Sequence, residues 1–343
     1  MPPDRRLTEP WMLGTLRVPN RVLLAPLAGI GNWFVRLQAK RYGAGMAVSE
    51  MVSTHAIHYG NEKTCVEMLR IDPRERDGGP VSIQLFGEDP AIMREAAARV
   101  AEIGADAIDI NMGCPVPKVF KTGAGAAMLD DPDRAVALAS AAVAGAVGPN
   151  GRLPVTVKLR SGVRRGETSG CDLARRLVAE AGVSAIAFHP RSAAVQHKGV
   201  PDYALAARLV ETLGAPVILT GGLSDAASAR AAFEQTGASA LMLARGALGN
   251  PWLFAELVHG REGAPARAEV ARELDWTIDR AVEHLGEPRA TRYLRKFYPW
   301  YVTRLQLDAQ EAKRLQSALQ ESETLARVRE LLEVAAAPVA LAV

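Results

Sequence analysis

The chain has 343 residues, of which 48% are hydrophobic and 23% charged, and this balance excludes a globally disordered protein. The most apolar run, residues 135–148, is mostly alanine and too short to cross a bilayer, so we predict no membrane association. No apolar segment follows the first residues, which favours a cytoplasmic protein. The net charge of +3 does not decide whether the chain binds nucleic acid.

Three cysteines are present, Cys65, Cys114 and Cys171, and they form no C-x-x-C pair. They are too few and too scattered for a disulfide framework or a tetrahedral zinc site. We therefore predict no metal site, and any functional cysteine acts alone.

Short aliphatic or β-branched runs alternate with Ala- and Leu-rich helical stretches between Val22 and Leu257, as is typical of parallel βα units. The predicted strands are residues 22–29, 46–52, 81–86, 107–112, 155–160, 185–189, 217–221 and 240–245. Eight units in this length fit a (β/α)₈ TIM barrel better than an open doubly wound sheet.

The pattern changes after Leu257. Residues 260–265 are typical of a linker, and residues 267–334 have helical periodicity without a convincing strand. We therefore predict an α/β protein with two domains, a TIM barrel in residues 1–260 and a small helical domain in residues 261–343.

The carboxyl ends of the predicted barrel strands carry polar side chains among apolar neighbours. Because TIM barrels build their active sites at that end, we expect these side chains to converge. The candidates are Gln84, Asn111, Cys114, Lys158, Arg160, His189 and Arg191. Each type also has a purely structural interpretation, since a lysine can reach out to the mouth, a histidine can cap a loop and a buried cysteine can be inert.

The turn around Cys114 is made rigid by Gly113 and Pro115. Residues 117–129 follow it and contain Lys118, Lys121 and three small residues at 123–125. This composition predicts a mobile basic loop over the site.

Glycines end the seventh and eighth predicted strands, in Thr220-Gly221-Gly222 and Ala244-Arg245-Gly246. Backbone N–H groups exposed there, next to an arginine, make the usual phosphate site of barrels. The segments predict a phosphorylated ligand, and the alternative is that the glycines only turn the chain.

Several segments of the predicted barrel resemble the tRNA-dihydrouridine synthases, flavin enzymes that reduce particular uridines in tRNA. They cover nearly the whole barrel in the family's order, at residues 25–30, 49–52, 84–87, 109–115 with Lys118 and Val119, 158–162 and 244–252. The run Asn111-Met112-Gly113-Cys114-Pro115 with its downstream lysines is specific to this family.

The resemblance implies that FMN lies across the barrel mouth and that NADPH reduces it. The flavin contacts would come from Pro26, Leu27, Ala28, Gln84, Lys158 and His189, and the phosphate contacts from Thr220, Gly221, Gly222, Ala244 and Arg245. Cys114 would be the general acid, giving a proton to C5 of the uracil when hydride reaches C6, and Asn111 and Arg160 would hydrogen-bond the uracil. The residues Leu27, Pro190, Thr220, Gly222 and Ala244 differ from those that are usual in the family, and backbone contacts at these positions would be kept.

The predicted helical domain supports an RNA substrate independently, because residues 289–304 contain five basic residues, five aromatic residues and no acidic residue. The basic residues Arg289, Arg292, Arg295 and Lys296 would bind phosphates, as would Lys118 and Lys121. The aromatic residues Tyr293, Phe297, Tyr298, Trp300 and Tyr301 would either stack on bases or form the core of the domain. We expect tRNA as the partner of a monomer that needs no other protein.

Two alternative functions account for part of the pattern. An FMN-barrel oxidoreductase acting on a small molecule, such as a dihydroorotate dehydrogenase or an ene reductase, leaves residues 289–304 unexplained. A non-catalytic tRNA-binding protein on the same scaffold has no need of Cys114, Lys158, His189 and Arg245 together. The sequence therefore predicts an FMN-dependent tRNA-dihydrouridine synthase.

Overall fold

An eight-stranded parallel barrel dominates the first part of the computed structural model, which describes residues 6–149 and 151–337. The strands in these residues are β1 (Trp11–Leu13), β2 (Leu16–Val18), β3 (Val22–Leu24), β4 (Met46–Ser53), β5 (Val81–Phe86), β6 (Ala107–Met112), β7 (Val147–Gly148), β8 (Gly151–Arg152), β9 (Val155–Arg160), β10 (Ala185–His189), β11 (Val217–Thr220) and β12 (Ala240–Leu243). The barrel order is β3-β4-β5-β6-β9-β10-β11-β12, and β12 pairs with β3 to close it. The predicted (β/α)₈ barrel is confirmed.

The first and the last two barrel strands are shorter than predicted. The last hydrogen bond between β12 and the chain after β3 runs from Ala25 N to Leu243 O at 2.8 Å, and the next residue, Pro26, has no N–H to donate toward β4 on the other side. β11 ends at Thr220 because Gly221 turns the backbone to a φ of +100°, which favours glycine. The chain after each of these strands is therefore free to form loops at the barrel mouth.

The antiparallel hairpin of β1 and β2 is an element that the sequence pattern does not predict. Its residues Leu13 and Val18 are fully buried in one apolar cluster with Met46, Ala107 and Ala240, the first residues of β4, β6 and β12. The hairpin and these residues together fill the amino-terminal end of the barrel.

The helices flank the barrel strands and build the carboxyl-terminal part of the chain. In the described residues they are α1 (Trp33–Arg41), α2 (Thr54–His58), α3 (Pro90–Glu102), α4 (Pro117–Phe120), α5 (Pro132–Gly145), α6 (Ser169–Ala181), α7 (Tyr203–Thr212), α8 (Ala226–Thr236), α9 (Trp252–Val258), α10 (Arg267–Leu285), α11 (Glu287–Leu294), α12 (Tyr298–Val302), α13 (Ala309–Glu321) and α14 (Leu325–Ala336). One π-helical turn (Lys63–Met68) and the 3₁₀ turns Pro73–Gly78, Gly125–Asp130, Ala193–Val195 and Arg245–Ala247 complete the set. Aspartates cap several amino termini, such as Asp89 before α3 and Asp225 before α8, and a left-handed glycine ends α6 at Gly182 and α8 at Gly237.

The barrel interior changes from apolar to polar along the strands. Side chains alternate in direction along a strand, so Asp109 and Asn111 on β6 both face the interior. Gln84, Asp109 and Thr156 lie in register on three neighbouring strands, and one step nearer the carboxyl ends Asn111 lies beside Lys158. Polar side chains therefore line the barrel interior between the apolar cluster at its amino-terminal end and the mouth at its carboxyl-terminal end.

The chain divides into two compact units. One contains the barrel, up to Gly246, and takes in Leu257–His259, whereas the other contains Ala247–Glu256 and the residues from Gly260 on. The second unit is helical, as predicted, and it includes ten residues, 247–256, that precede the predicted linker. Across the described ranges, no helix combines the length and the apolar character needed to span a membrane.

Candidate active site at the barrel mouth

A cavity of about 350 Å³ opens at the carboxyl ends of the barrel strands. It brings together seven of the predicted site residues: Pro26, Ala28, Gln84, Asn111, Cys114, Lys158 and Arg160. Gln196 and His197, which were not predicted, also line it. Its volume lies within the range of about 300–1,000 Å³ that is usual for cofactor and small-molecule pockets.

The turn that carries Cys114 is held by the side chain of Asn111. The Asn111 Oδ1 atom accepts the backbone N–H groups of Cys114 at 3.0 Å and of Gly113 at 3.2 Å. Gly125 approaches the turn closely, because a Cβ there would lie 2.8 Å from the Cys114 carbonyl oxygen, and the Ala126 N–H donates to that same oxygen at 3.0 Å. The Cys114 side chain is thus presented to the cavity from a fixed backbone.

Beneath Asn111 lies a chain of buried hydrogen bonds. Asn111 Nδ2 donates to Gln84 Oε1 at 3.0 Å, and Gln84 Nε2 donates to Asp109 Oδ2 at 2.6 Å. The other oxygen of Asp109 accepts from Thr156 Oγ1 at 2.5 Å. Burial is the largest influence on this carboxyl and raises the pKa of Asp109 to about 6, against the opposing hydrogen bonds and the charge of Lys158.

Asp109 is a site residue that the sequence prediction missed. It is fully buried, as an aspartate in a globular protein rarely is. Its signal in the sequence is a single acidic residue in the otherwise apolar first half of β6, where an aspartate is unfavourable unless its carboxylate has partners.

Lys158 extends from β9 into the cavity, in register with Asn111 on one side and Ala187 on the other. Burial, and secondly the charge of Arg160, lower the pKa of Lys158, while Asp109 opposes the shift. The small side chain of Ala187 leaves room beside the lysine, and the ammonium group can therefore face a ligand in the cavity.

Arg160, at the end of β9, is only 4% exposed and is bonded mainly to the backbone around it. Its Nε donates to the Gly113 carbonyl at 2.8 Å, and its Nη1 donates to the carbonyls of Ser192 at 3.2 Å and Gln196 at 2.7 Å. Burial lowers the pKa of Arg160 to about 10, so it stays charged at neutral pH. The guanidinium group therefore ties the Cys114 turn to the loop that follows β10.

Two glycines in positive-φ conformations follow β11, with φ of +100° at Gly221 and +80° at Gly222. A Cβ at Gly221 would come within 2.4 Å of the His189 ring, and Tyr203 Oη donates to the Gly221 carbonyl at 3.0 Å. Any side chain at position 221 would therefore displace His189, a predicted cofactor contact.

Arg191, at the end of the sixth predicted strand, and His197, which was not predicted, lie against His189. Arg191 is buried, its Nη1 lies 3.3 Å from His189 Nε2, and its Nε has no hydrogen-bond partner among the described residues. The rings of His189 and His197 stack with centroids 6.2 Å apart. Burial, reinforced by nearby cations, lowers the pKa of His197 to about 4 and that of His189 still further, so both rings are neutral at pH 7.

Positive charge accumulates beside the glycine pair. Arg245, exposed in the turn after β12, depresses the pKa of Arg160, Arg191 and His197, after the larger effect of burial on each. Such mutual repulsion falls when an anion binds, so the region has the electrostatics of an anion site.

The remaining predicted contacts are placed differently. The Leu27 side chain is buried away from the cavity, Thr220 is buried at the end of β11, and Ala244 is half-buried. Lys118 and Lys121 are exposed, but the predicted loop of residues 117–129 forms α4 and a 3₁₀ turn, and most of residues 124–129 are buried. The second half of the predicted loop is therefore a mostly buried 3₁₀ turn, whose small residues pack beneath the Cys114 turn.

In the helical unit, Arg289, Arg292, Arg295 and Lys296 are all exposed. The aromatic residues divide, because Phe297, Tyr298 and Tyr301 are at most 4% exposed, whereas Tyr293 and Trp300 are half-buried. The prediction that these residues stack on bases is therefore wrong for the three buried rings, and the alternative prediction, that they form the core of the domain, is correct for them. The Lys296 ammonium lies 3.8 Å from the centroid of the Tyr293 ring, a cation–π contact on the surface.

Known proteins are similar to this chain in sequence and in fold. The family model described as dihydrouridine synthase (Dus) matches residues 23–340. The chain belongs to the dihydrouridine synthase family. It is 36% identical over 301 residues to the tRNA-dihydrouridine synthase B of Pseudomonas aeruginosa, covering 85% of this chain and 87% of that protein. It is 37% identical over 302 residues to a probable tRNA-dihydrouridine synthase of Rhodobacter capsulatus, covering 84% and 88%.

A comparison of folds finds the same barrel in morphinone reductase, with a TM-score of 0.56 and 17% identity, over 76% of this chain and 91% of that one. As a dihydrouridine synthase the chain is a flavin-dependent oxidoreductase, so the predicted family and class of enzyme are confirmed.

Proposed function

We propose that this dihydrouridine synthase reduces uridines of tRNA, with FMN bound across the barrel mouth, NADPH as the reductant and Cys114 as the proton donor. The observation that carries the proposal is the Cys114 turn. It is fixed by Asn111 and Arg160 at the edge of a cavity that Gln84 and Lys158 also line.

The residues at the mouth fit the two ends of FMN. The phosphate end suits the glycine pair Gly221 and Gly222, because Arg191 and Arg245 lie near it and the buried Nε of Arg191 can donate to an anion. The ring end suits the cavity, which Gln84 and Lys158 line, and their amide and ammonium groups would bind the polar edge of an isoalloxazine ring.

When bound and reduced by NADPH, the flavin supplies a hydride to C6 of the uracil. The carbanion that this leaves at C5 takes a proton from the Cys114 Sγ, so that one C–H bond forms at each carbon and the S–H bond breaks. Lys158 and Arg160 carry positive charge near the Cys114 Sγ, which regains its proton from water after each reduction. Asn111 and Arg160 act first by holding the turn, and the uracil contacts predicted for them would be additional.

RNA phosphates would meet the exposed cations of the helical unit, Arg289, Arg292, Arg295 and Lys296. Lys118 in α4 and Lys121 directly after it would meet phosphates next to the reacting base. The base itself must leave its stacked position to reach Cys114, as in other enzymes that act on bases.

The test is to measure the two half-reactions of Cys114→Ala separately. NADPH should still reduce the flavin at the wild-type rate, whereas dihydrouridine formation in tRNA should fall by about 10²- to 10⁴-fold, the usual contribution of a general acid. Cys65→Ala is the matched control, because that cysteine lies in the π-helical turn and not at the cavity, and both of its half-reactions should stay normal.

Equal losses in both half-reactions of Cys114→Ala would show that Cys114 is structural. A protein that consumes NADPH with a small oxidised molecule but leaves tRNA unreduced would favour the small-molecule oxidoreductase.

A further inference from the structure

Asp109 has no role in the reaction proposed above, yet its carboxylate is fully buried in the interior of the barrel. It is 0% exposed, and Gln84 and Thr156, its two hydrogen-bond partners, are at most 3% exposed. A carboxylate buried in this way costs free energy unless its partners return it. An apolar side chain would avoid this cost, and the neighbouring residues on the other face of β6, Ile108 and Ile110, are both apolar and buried.

The hydrogen bonds that start at Asp109 run in a single direction. A carboxylate only accepts, so it requires the Nε2 side of the Gln84 amide. Gln84 Oε1 then faces Asn111 and requires the Nδ2 side of that amide, which leaves Asn111 Oδ1 to accept the Cys114 N–H. Each amide could be turned over at little cost in shape, but with Asp109 at the inner end only one orientation satisfies every group.

We infer that Asp109 is a positioning residue for the reaction, which sets the orientation of the Gln84 and Asn111 amides and thereby holds the Cys114 turn in place. We call Asp109, Gln84 and Asn111 the amide relay. The inference rests on the proposed function for its effect on catalysis, but the relay itself acts on the backbone and can be measured without turnover.

Two alternatives give Asp109 no influence on the turn. In one it serves only as a counter-charge for Lys158, whose pKa it raises. In the other it only supports the barrel, together with Thr156. Neither predicts that a change at Gln84 reaches the N–H groups of Gly113 and Cys114, which lie two hydrogen bonds away.

The experiment is hydrogen exchange, by mass spectrometry, of the peptide that contains Gly113 and Cys114 in the purified flavoprotein. Gln84→Glu places two carboxylates against each other, so the side chain at position 84 should turn away and Asn111 should lose its hydrogen-bond partner. Exchange of the Gly113 and Cys114 N–H groups should then become roughly tenfold faster. This factor corresponds to a coupling free energy of about 1.4 kcal/mol, which is usual between contacting residues. Adding Asp109→Asn should restore protection of these N–H groups. The amide Nδ2 at position 109 then donates to one oxygen of the carboxylate at position 84, and the other oxygen of that carboxylate still accepts from Asn111 Nδ2.

Asn111→Ala gives the largest increase in exchange that is expected at the turn, since it removes the acceptor of both the Gly113 and the Cys114 N–H groups. Gln84→Glu in that background should cause no additional loss of protection. Ser82→Ala is the matched control on β5, because it is a buried polar residue of the barrel interior outside the relay, and it should leave exchange unchanged. A peptide from α10 reports general unfolding.

Unchanged exchange at Gly113 and Cys114 in Gln84→Glu would overturn the relay, as would further loss in the Asn111→Ala background. If Gln84→Glu does not fold, the double variant decides, because a folded double variant without protection at the turn contradicts the inference. Flavin reduction and uridine reduction in the same proteins distinguish the two proposals. If hydrogen exchange changes as expected but Cys114→Ala has normal turnover, the relay is supported and Cys114 is rejected as the proton donor.

Discussion

Replacing Arg160 by methionine separates two roles that this residue can have, support of the Cys114 turn and direct binding of the uracil. The change removes three hydrogen bonds to backbone carbonyls and keeps much of the buried volume. Two of the carbonyls, on Gly113 and Ser192, belong to buried residues. A buried acceptor without a partner costs about 1–3 kcal/mol, so these two give about 2–6 kcal/mol.

The net loss of stability should lie in the lower half of that range, about 2–4 kcal/mol, because the variant no longer has to bury a guanidinium group. Urea denaturation followed by far-ultraviolet circular dichroism measures it. In steady-state turnover, kcat for uridine reduction should fall while KM for tRNA stays within about twofold, since a loosened turn misplaces the proton donor without removing an RNA contact.

Arg164→Met is the matched control, because that arginine lies on the loop after β9, its side chain is 71% exposed, and its partner Glu167 is three residues away. Its unfolding curve and turnover should match the wild type. An Arg160→Met protein that unfolds like the wild type and changes only KM for tRNA would refute the supporting role and assign Arg160 to the substrate.

Three other outcomes follow from the same structure. Arg245→Ala should weaken flavin binding by about 1.5–3 kcal/mol, or roughly 10- to 150-fold in Kd, as measured by fluorescence titration, and an unchanged Kd would remove Arg245 from the anion site. Replacing Arg292 and Arg295 together by alanine should reduce the slope of log K for tRNA against log[salt] by about 1.4–1.8 without altering NADPH oxidation in the absence of tRNA, and a wild-type slope would move the RNA surface elsewhere. Tyr301→Ala should lose about 3–5 kcal/mol of stability with the salt slope unchanged, because its ring is 1% exposed and its hydroxyl lies 3.0 Å from Thr277 Oγ1.

The barrel could be predicted from sequence because each strand is a short apolar run between helical stretches, and β5, β6, β9 and β10 lie where the pattern predicts. The strand ends were harder to predict. Whether residues 25–29 or 244–245 continue a strand depends on a hydrogen bond between Ala25 and Leu243, two residues more than 200 positions apart. The β1–β2 hairpin was missed because two strands of three residues carry too little periodicity to be recognised.

The site shows the same division. Gln84, Asn111, Cys114 and Lys158 lie in or just after the carboxyl-terminal halves of strands and were predicted from that position. The barrel topology alone brings these positions close together. His197 was missed because its closeness to His189 depends on the path of an irregular loop. The hydrogen bonds of Arg160 could not have been predicted either, since all three acceptors are backbone atoms and leave no mark in the residue types.

The apolar plug formed by the β1–β2 hairpin has a consequence for the order of events in turnover. With the amino-terminal end of the barrel filled, a flavin bound at the mouth as proposed would be reached by reductant and RNA from the open end. In the proposed arrangement, a bound tRNA whose base reaches Cys114 would exclude NADPH, and the two half-reactions would have to alternate. The enzyme should consequently slow down at high tRNA concentration, since RNA bound to the oxidised flavoprotein blocks its re-reduction.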